Sequence, residues 1–164
     1  MVKQALCLTV LLAIAASAAY ARGLFDSEAG FLWELSCDGG SVIITGYTGS
    51  NTAIWIPPRI QGLPVTGIGD YAFSDEGQGG GFVQARRQFT SVTIPGTVQR
   101  IGAWAFADNL LASVSIGGNV DIRWDGLFCY RDLFGTSFAD FYESHGRRAG
   151  TYTHSGGVWS VEFR

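Results

Sequence analysis

Basic residues are scarce in this sequence. Lys and Arg total 11 against 14 Asp and Glu, for a formal net charge of −3 and an isoelectric point near 5.2. That balance excludes the basic stripe with which a nucleic-acid-binding protein neutralises phosphates. Charged residues make up only 15% of the chain and apolar ones 47%, a composition that can fill a core and is not that of a disordered segment. Histidine is confined to His145 and His154, both near the C-terminus, and neither H-E-x-x-H nor G-x-S-x-G occurs. A metal centre needs convergent ligands and a hydrolytic triad needs a positioned nucleophile. Carboxylates are scattered singly, with no recurring acid/base pair, and Asp108, Asp125 and Asp132 sit near turns, where Asp caps and bends the chain. No catalytic, metal-ligating or cofactor-binding residue is assigned.

Long apolar runs are also missing. The longest, residues 5–16 (ALCLTVLLAIAA), is too short for a bilayer span. It follows Lys3 and precedes Ala19-Tyr20-Ala21, an A-x-A cleavage signal, so residues 1–21 read as a signal peptide. No cysteine follows the run directly, so no lipoprotein box is present. The mature chain is expected to be exported (secreted, cell-surface or periplasmic), with no membrane span and as a monomer. Lys3 is the sole lysine, so every basic residue of the mature chain except His is Arg.

What the sequence has in excess is glycine, 23 residues or about 14%, twice the usual ~7%. Without a strict triplet this is the mark of many tight turns and not of collagen. The turns punctuate an internal repeat. Ser91-Val92-Thr93-Ile94-Pro95 returns 22 positions later as Ser113-Val114-Ser115-Ile116-Gly117, with Val98 matching Val120, Phe106 matching Phe128 and Leu111 matching Leu133. An earlier copy runs Ile54-Trp55-Ile56-Pro57, 38 residues before its counterpart, and Ile68-Gly69-Asp70-Tyr71-Ala72-Phe73, 33 before. The extra residues fall at 58–64 and 74–88. Copy three departs from the pattern, since Arg123-Trp124 stands 22 positions after Ile101-Gly102 and no Pro ends its strand. A unit of this size cannot bury its own apolar face, so copies must stack, with Val92, Ile94, Val98, Ile101 and Phe106 in one continuous core and the strands in a parallel sheet.

The pattern V-x-I-P-x-x-V-x-x-I-G-x-x-A-F resembles the BspA-type leucine-rich repeat of bacterial surface and secreted proteins. Residues 90–106 (TSVTIPGTVQRIGAWAF) are close to that repeat, and residues 56–73 (IPPRIQGLPVTGIGDYAF) resemble its opening copy. Gly46-Tyr47-Thr48-Gly49 and residues 138–159 look like the flanks of spirochaete members. The resemblance implies a mainly β, α+β fold: a short right-handed leucine-rich repeat solenoid of about three irregular 22-residue coils. It further implies a non-catalytic role in adhesion to host proteins or to neighbouring cells.

The flanks read as caps. Residues 31–35 and 41–46 are strand patterns around the Asp-Gly turn signal Cys37-Asp38-Gly39-Gly40, and residues 150–153 and 158–163 flank Ser155-Gly156-Gly157. Hairpins at both ends would cover the open ends of the stack. Residues 137–144 predict a short helix capped by Ser137, with Phe138, Phe141 and Tyr142 on one face. The organisation expected is a single domain at 22–164: an N-terminal β cap at 22–49, repeats at 50–136 with the insertion 74–88, and a C-terminal cap at 137–164.

Several features imitate chemistry. Gly67-Ile68-Gly69-Asp70-Tyr71-Ala72 satisfies G-x-G-x-x-A, the dinucleotide fingerprint. In the next copy, however, Arg100 takes the place of Gly67 while Ile101-Gly102 and Ala105 persist, so the first glycine is dispensable. Gly79-Gly80-Gly81 lacks the Lys-Ser/Thr of a phosphate loop. His145, beside Gly146-Arg147-Arg148, reads as a solvated turn residue. Cys37 precedes the first copy and Cys129 closes the third. Strands ~4.8 Å apart put them on the order of 10–15 Å from each other, beyond the ~7 Å of a disulfide. Two buried thiols are expected.

Partner binding has two candidate places. On a strand of period two, Trp55, Thr93 and Ser115 point away from the core, with Ser91 and Ser113 one step earlier. That row is an exposed sheet face with Trp55 as an aromatic anchor, unless Trp55 packs under the N-terminal hairpin. The insertion 74–88 is the other, through Phe82, Arg86 and Arg87, against the plainer reading of a loop without function. The partner expected is a host matrix or cell-surface protein. A glycan stacked on Trp55, Trp104, Trp124 and Tyr71 is the alternative, although Tyr71 and Trp104 share one repeat position, which favours a structural role for both.

Overall fold

The computed structural model describes residues 28–74, 88–107, 109–122 and 138–164. Residues 1–21, read above as a signal peptide, and Phe82, Arg86, Arg87, Trp124, Phe128, Cys129, Leu133, Ser137 and the three turn aspartates lie outside these residues. A 3-10 turn at Glu28–Gly30 leads into β1 (Phe31–Leu35) and β2 (Val42–Tyr47). Then come β3 (Ala53–Trp55), β4 (Arg59–Ile60), β5 (Leu63–Ile68), β6 (Ser91–Thr93), β7 (Arg100–Ile101), β8 (Ser113–Ile116) and β9 (Asp121–Ile122). Helix α1 (Phe138–Ser144), β10 (Gly150–Ser155) and β11 (Val158–Phe163) follow.

The strands form two sheets where the sequence suggested one. The first strand of each copy builds one ladder, β3-β6-β8, and the second builds another, β5-β7-β9; both are parallel. Two ladders arise because each copy turns at Pro57, Pro95 or Gly117 and then lays down a second extended stretch. A proline can end a strand because it has no N–H to donate. Pairing reproduces the repeat offsets: Ile54 lies beside Val92 and Val92 beside Val114, while Ile68 lies beside Ile101. Gly67 lies directly beside Arg100, so the fingerprint's first glycine is one rung of a ladder. It leads into a turn with Tyr71 at φ 57°, not into a helix.

Copy three is corrected by one residue. Asp121-Ile122, not Ile122-Arg123, stands beside Arg100-Ile101, so Arg123 is not the counterpart of Ile101. The strand offset of 22 therefore shortens to 21 at the second ladder. The extra residues of copy one also find their form: β4 folds back antiparallel on β5 through Gln61-Gly62, at φ 50° and 82°, the left-handed pair that a tight two-residue hairpin needs.

The core lies between the ladders. Val92, Ile94, Val98, Ile101 and Phe106 are all buried, as are Ile54, Ile56, Val65 and Ile68. Phe73 and Phe106, equivalent in their copies, stack at 4.7 Å with planes 4° apart. Tyr71 and Trp104 stack likewise at 6.3 Å and 9°, both with left-handed backbones. Their shared position is thus a structural one, the same turn built twice.

Each hairpin extends a different sheet. β1–β2 continues the β5-β7-β9 ladder at its N-terminal end, and β10–β11 continues β3-β6-β8 at its C-terminal end. Helix α1 buries Phe138, Ala139 and Tyr142, with Phe141 half-buried. The Tyr142 hydroxyl donates to the Gly117 carbonyl at 2.6 Å and accepts from the Val120 amide at 3.2 Å, which fastens the helix to copy three. Cys37 is exposed at the tip of the first hairpin, not buried: the turn is held by its neighbours, Ser36 and Asp38, and projects beyond the sheet. His145 is not a solvated turn residue either. It is half-buried, stacks on Phe141 at 4.1 Å, and places Nδ1 2.8 Å from the Phe141 carbonyl oxygen. The helical turn that ends α1 folds it back onto its own face.

Candidate binding surface

The outer side of the sheet β11-β10-β8-β6-β3 collects the predicted row. Trp55 pairs with Thr93 and Thr93 with Ser115, because Val92 and Val114 on either side of the period turn inward and are buried. The C-terminal hairpin lengthens the row to Trp55, Thr93, Ser115, Thr151 and Glu162. A second row runs Ala53, Ser91, Ser113, Thr153 and Ser160. Thr151 and Thr153 were legible: Thr-Tyr-Thr in β10 repeats the polar–apolar–polar pattern of Ser-Val-Thr in β6. Hydroxyls dominate this face, and Glu162 brings its one carboxylate.

Exposure along the row is uneven. Trp55 is 41% exposed at the edge strand, and β1–β2 pairs into the other sheet, so the N-terminal hairpin does not bury it. Thr93 is half-buried. Ser115 is buried, contrary to expectation, with 7% of its surface left. The cause is Arg164, 49 positions away, whose Nη2 donates to Ser115 Oγ and, at 3.3 Å, to Thr151 Oγ1. Arg164 is anchored by its amide, which donates to the Ala149 carbonyl at 3.2 Å. No local pattern in the sequence signals this contact.

Beneath the surface the sheet is stiffened by Tyr152, fully buried between Thr151 and Thr153. Its hydroxyl donates to the Arg148 carbonyl at 2.7 Å, and burial, reinforced by Tyr142, pushes its pKa up to about 12. Burial raises the pKa of Tyr142 too. Arg147 pairs with Glu143 of α1 and, at 4.0 Å, with Asp121 of β9 in the other sheet; the hydrogen bond to Glu143 holds its guanidinium charged still more firmly.

Among the described residues no group of three or more His, Cys, Asp and Glu is placed to hold a metal, and no helix is long and apolar enough to cross a membrane. What the face can do is present hydroxyls, one aromatic edge, the Arg164 guanidinium and the Glu162 carboxylate to a flat or ridged ligand.

No family model matches the chain, and no curated protein matches it. Among solved structures it is similar to three bacterial proteins. One is a leucine-rich repeat protein of T. pallidum, 29% identical over 55% of this chain and 38% of that one, with a TM-score of 0.44. Another is a leucine-rich cell surface protein of Faecalibacterium prausnitzii, 31% identical over 57% and 24%, with a TM-score of 0.46. A leucine-rich repeat protein of Bacteroides capillosus is 29% identical over 53% and 61%, with a TM-score of 0.42. The chain thus spans between 24% and 61% of the length of these proteins, all three of them bacterial leucine-rich repeat proteins.

Proposed function

We propose that this chain is an exported, non-catalytic interaction module. In this reading residues 1–21 are removed as a signal peptide. Residues 22–164 form one leucine-rich repeat solenoid of about three coils, closed by caps at 22–49 and 137–164. The outer face of the sheet β11-β10-β8-β6-β3 engages a partner on the host matrix or on a neighbouring cell surface, with Trp55 as anchor. One observation carries this: Trp55, Thr93 and Ser115, read as equivalent from the repeat, lie side by side on consecutive strands, and the C-terminal hairpin broadens that same face. A repeat array whose outward row is continued by its cap offers the extended surface that repeat proteins use for binding.

A glycan ligand is the second reading, favoured by the row of hydroxyls flanked by an exposed Trp. The test is capture of partners from matrix and cell-surface extracts, in parallel with a glycan array. Trp55→Ala should weaken binding by at least ~2 kcal/mol, as loss of an aromatic hot spot does, without unfolding the protein. If binding survives Trp55→Ala but is lost on deleting residues 77–84, or on replacing Arg86 and Arg87, the insertion is the site and the sheet face is not. If Trp55→Ala unfolds the chain, Trp55 is packing.

A further inference from the structure

The sheet face is nearly free of charge, yet one cation lies on it. Arg164 rests its guanidinium on Ser115 Oγ and Thr151 Oγ1, two neutral hydroxyls. Arg147 makes the ion pairs to Glu143 and Asp121, whereas Arg164 meets no carboxylate of the described residues within 4.0 Å. Glu162 stands across from Thr151 on β11, but Arg164 spends its contacts on Thr151 and Ser115 and forms no ion pair with it. A guanidinium is a planar fork of five N–H donors. Both hydroxyls are met by a single nitrogen, Nη2, which leaves the Nη1 and Nε donors of an exposed side chain for a ligand. Trp55 lies on the same row, two strands from Ser115 and three from Thr151, about 10–14 Å at the usual strand spacing, a span that a short oligosaccharide bridges.

We infer that this face recognises an acidic sugar: a carboxylate-bearing residue of a polysaccharide placed on Arg164, with a neighbouring ring over Trp55 and the hydroxyl rows between them. The inference rests on the glycan reading of the surface and goes beyond it by naming the charge. Complementarity supplies the argument. A neutral glycan would leave the guanidinium desolvated against groups that cannot neutralise it. A planar carboxylate matches the fork with two parallel, charge-assisted hydrogen bonds.

The experiment is titration of the full mature chain with polygalacturonate oligomers, and with dextran oligomers as the neutral counterpart. Polygalacturonate should bind at least tenfold more tightly than dextran. The preference should shrink in 1 M salt, where the screening length falls to ~3 Å. Arg164→Gln should lower polygalacturonate affinity at least tenfold and so erase the preference over dextran, with the melting curve unchanged. Equal affinity for the two polymers, or Arg164→Gln binding polygalacturonate as the parent does, overturns the acidic preference and leaves the glycan reading standing. Failure of both polymers to bind overturns both. Binding of a poly-glutamate peptide in place of polygalacturonate assigns the cation to a protein partner and likewise sinks the inference.

Discussion

The amide of Phe89 donates to the side-chain oxygen of Asn109 at 2.8 Å, while the same carboxamide's nitrogen donates to the carbonyl of Phe73, also at 2.8 Å. Phe73 and Phe89 flank the insertion 74–88, and their rings meet edge to face at 5.9 Å. One side chain in the following copy therefore draws together both ends of the excursion. It also donates to the carbonyls of Phe106 and Ala107, so the turn of its own copy and the break in the previous one are fastened at a single point.

Asn109→Ala should destabilise the protein by about 2–3 kcal/mol, since it removes the partner of the half-buried Phe89 amide and Phe73 carbonyl. Asn109→Asp should cost a similar amount by turning the donor into an acceptor facing three carbonyls. Hydrogen exchange separates the two: the Phe89 amide should lose protection in the Ala variant and keep it in the Asp variant. Equal protection in both would mean that the neck is closed by the Phe73–Phe89 contact alone.

Phe106→Ala should cost about 3–5 kcal/mol. The ring is 1% exposed and stacks on Phe73 in the preceding copy, so its removal opens a void between two coils. Urea melts check this directly. A loss under about 1 kcal/mol would mean that the neighbouring copies close the gap, contrary to the partial relaxation seen in packed cores.

The sequence carried the ladders because they are periodic. Val-x-Ile recurs at fixed offsets, so both neighbours of Val92 and the Ile68 side of Ile101 could be named from spacing alone, and the equivalence of Gly67 with Arg100 came out rung for rung, whereas Ile122 on the other side of Ile101 breaks the spacing by one residue. The stacking of Phe73 on Phe106 was legible for the same reason. What spacing could not show were contacts made once. Asn109 has no counterpart 22 residues on, where Arg131 stands, nor 33 back, where Glu76 stands; its only signal was a lone amide between the buried positions Phe106 and Leu111. Ser115 was placed on the correct face, but its burial depends on Arg164, a contact that no repeat encodes. Cys37 was misjudged because burial does not follow from a distance that excludes a disulfide, and its turn lies exposed at the tip of the first hairpin.

Tyr152 sets a limit on the alkaline side. Its pKa is raised from the ordinary 10.0 to about 12, so the fold favours the neutral phenol. That contribution is complete below the unfolded value and is lost as pH rises through the folded one. Stability should therefore hold up to about pH 10 and fall between about 10 and 12. Tyr142, raised in the same direction by burial, adds to the decline. Tyr152→Phe should be less stable near neutrality, having lost the bond to the Arg148 carbonyl, yet show a shallower fall with pH. Urea midpoints across the range, read beside tyrosinate absorbance, decide it. A parallel decline in parent and variant would place the titration elsewhere.

Two glycines at matching ladders should respond oppositely to an added methyl. A Cβ on Gly67 would meet Ile43 side-chain atoms at 3.5 and 3.6 Å, ordinary contact distances. One on Gly102 would approach the Asp70 amide nitrogen to 2.6 Å and the Gly69 carbonyl carbon to 2.7 Å, and backbone cannot step aside as a flexible side chain can. The Asp70 carboxylate also accepts from the Ala103 amide there, at 2.7 Å, so any shift breaks a bond between copies. Gly67→Ala should change stability by less than about 1 kcal/mol, whereas Gly102→Ala should cost about 2–3 kcal/mol, the range of an overpacked core. The contrast also tests what the G-x-G-x-x-A string is for. A phosphate-cradling loop would need Gly67 for backbone approach, and any nucleotide-dependent stabilisation of the parent would vanish in Gly67→Ala. A repeat turn needs only the glycine against which the next copy packs. If thermal melts rank Gly67→Ala below Gly102→Ala, the ladder does not explain where this chain requires glycine.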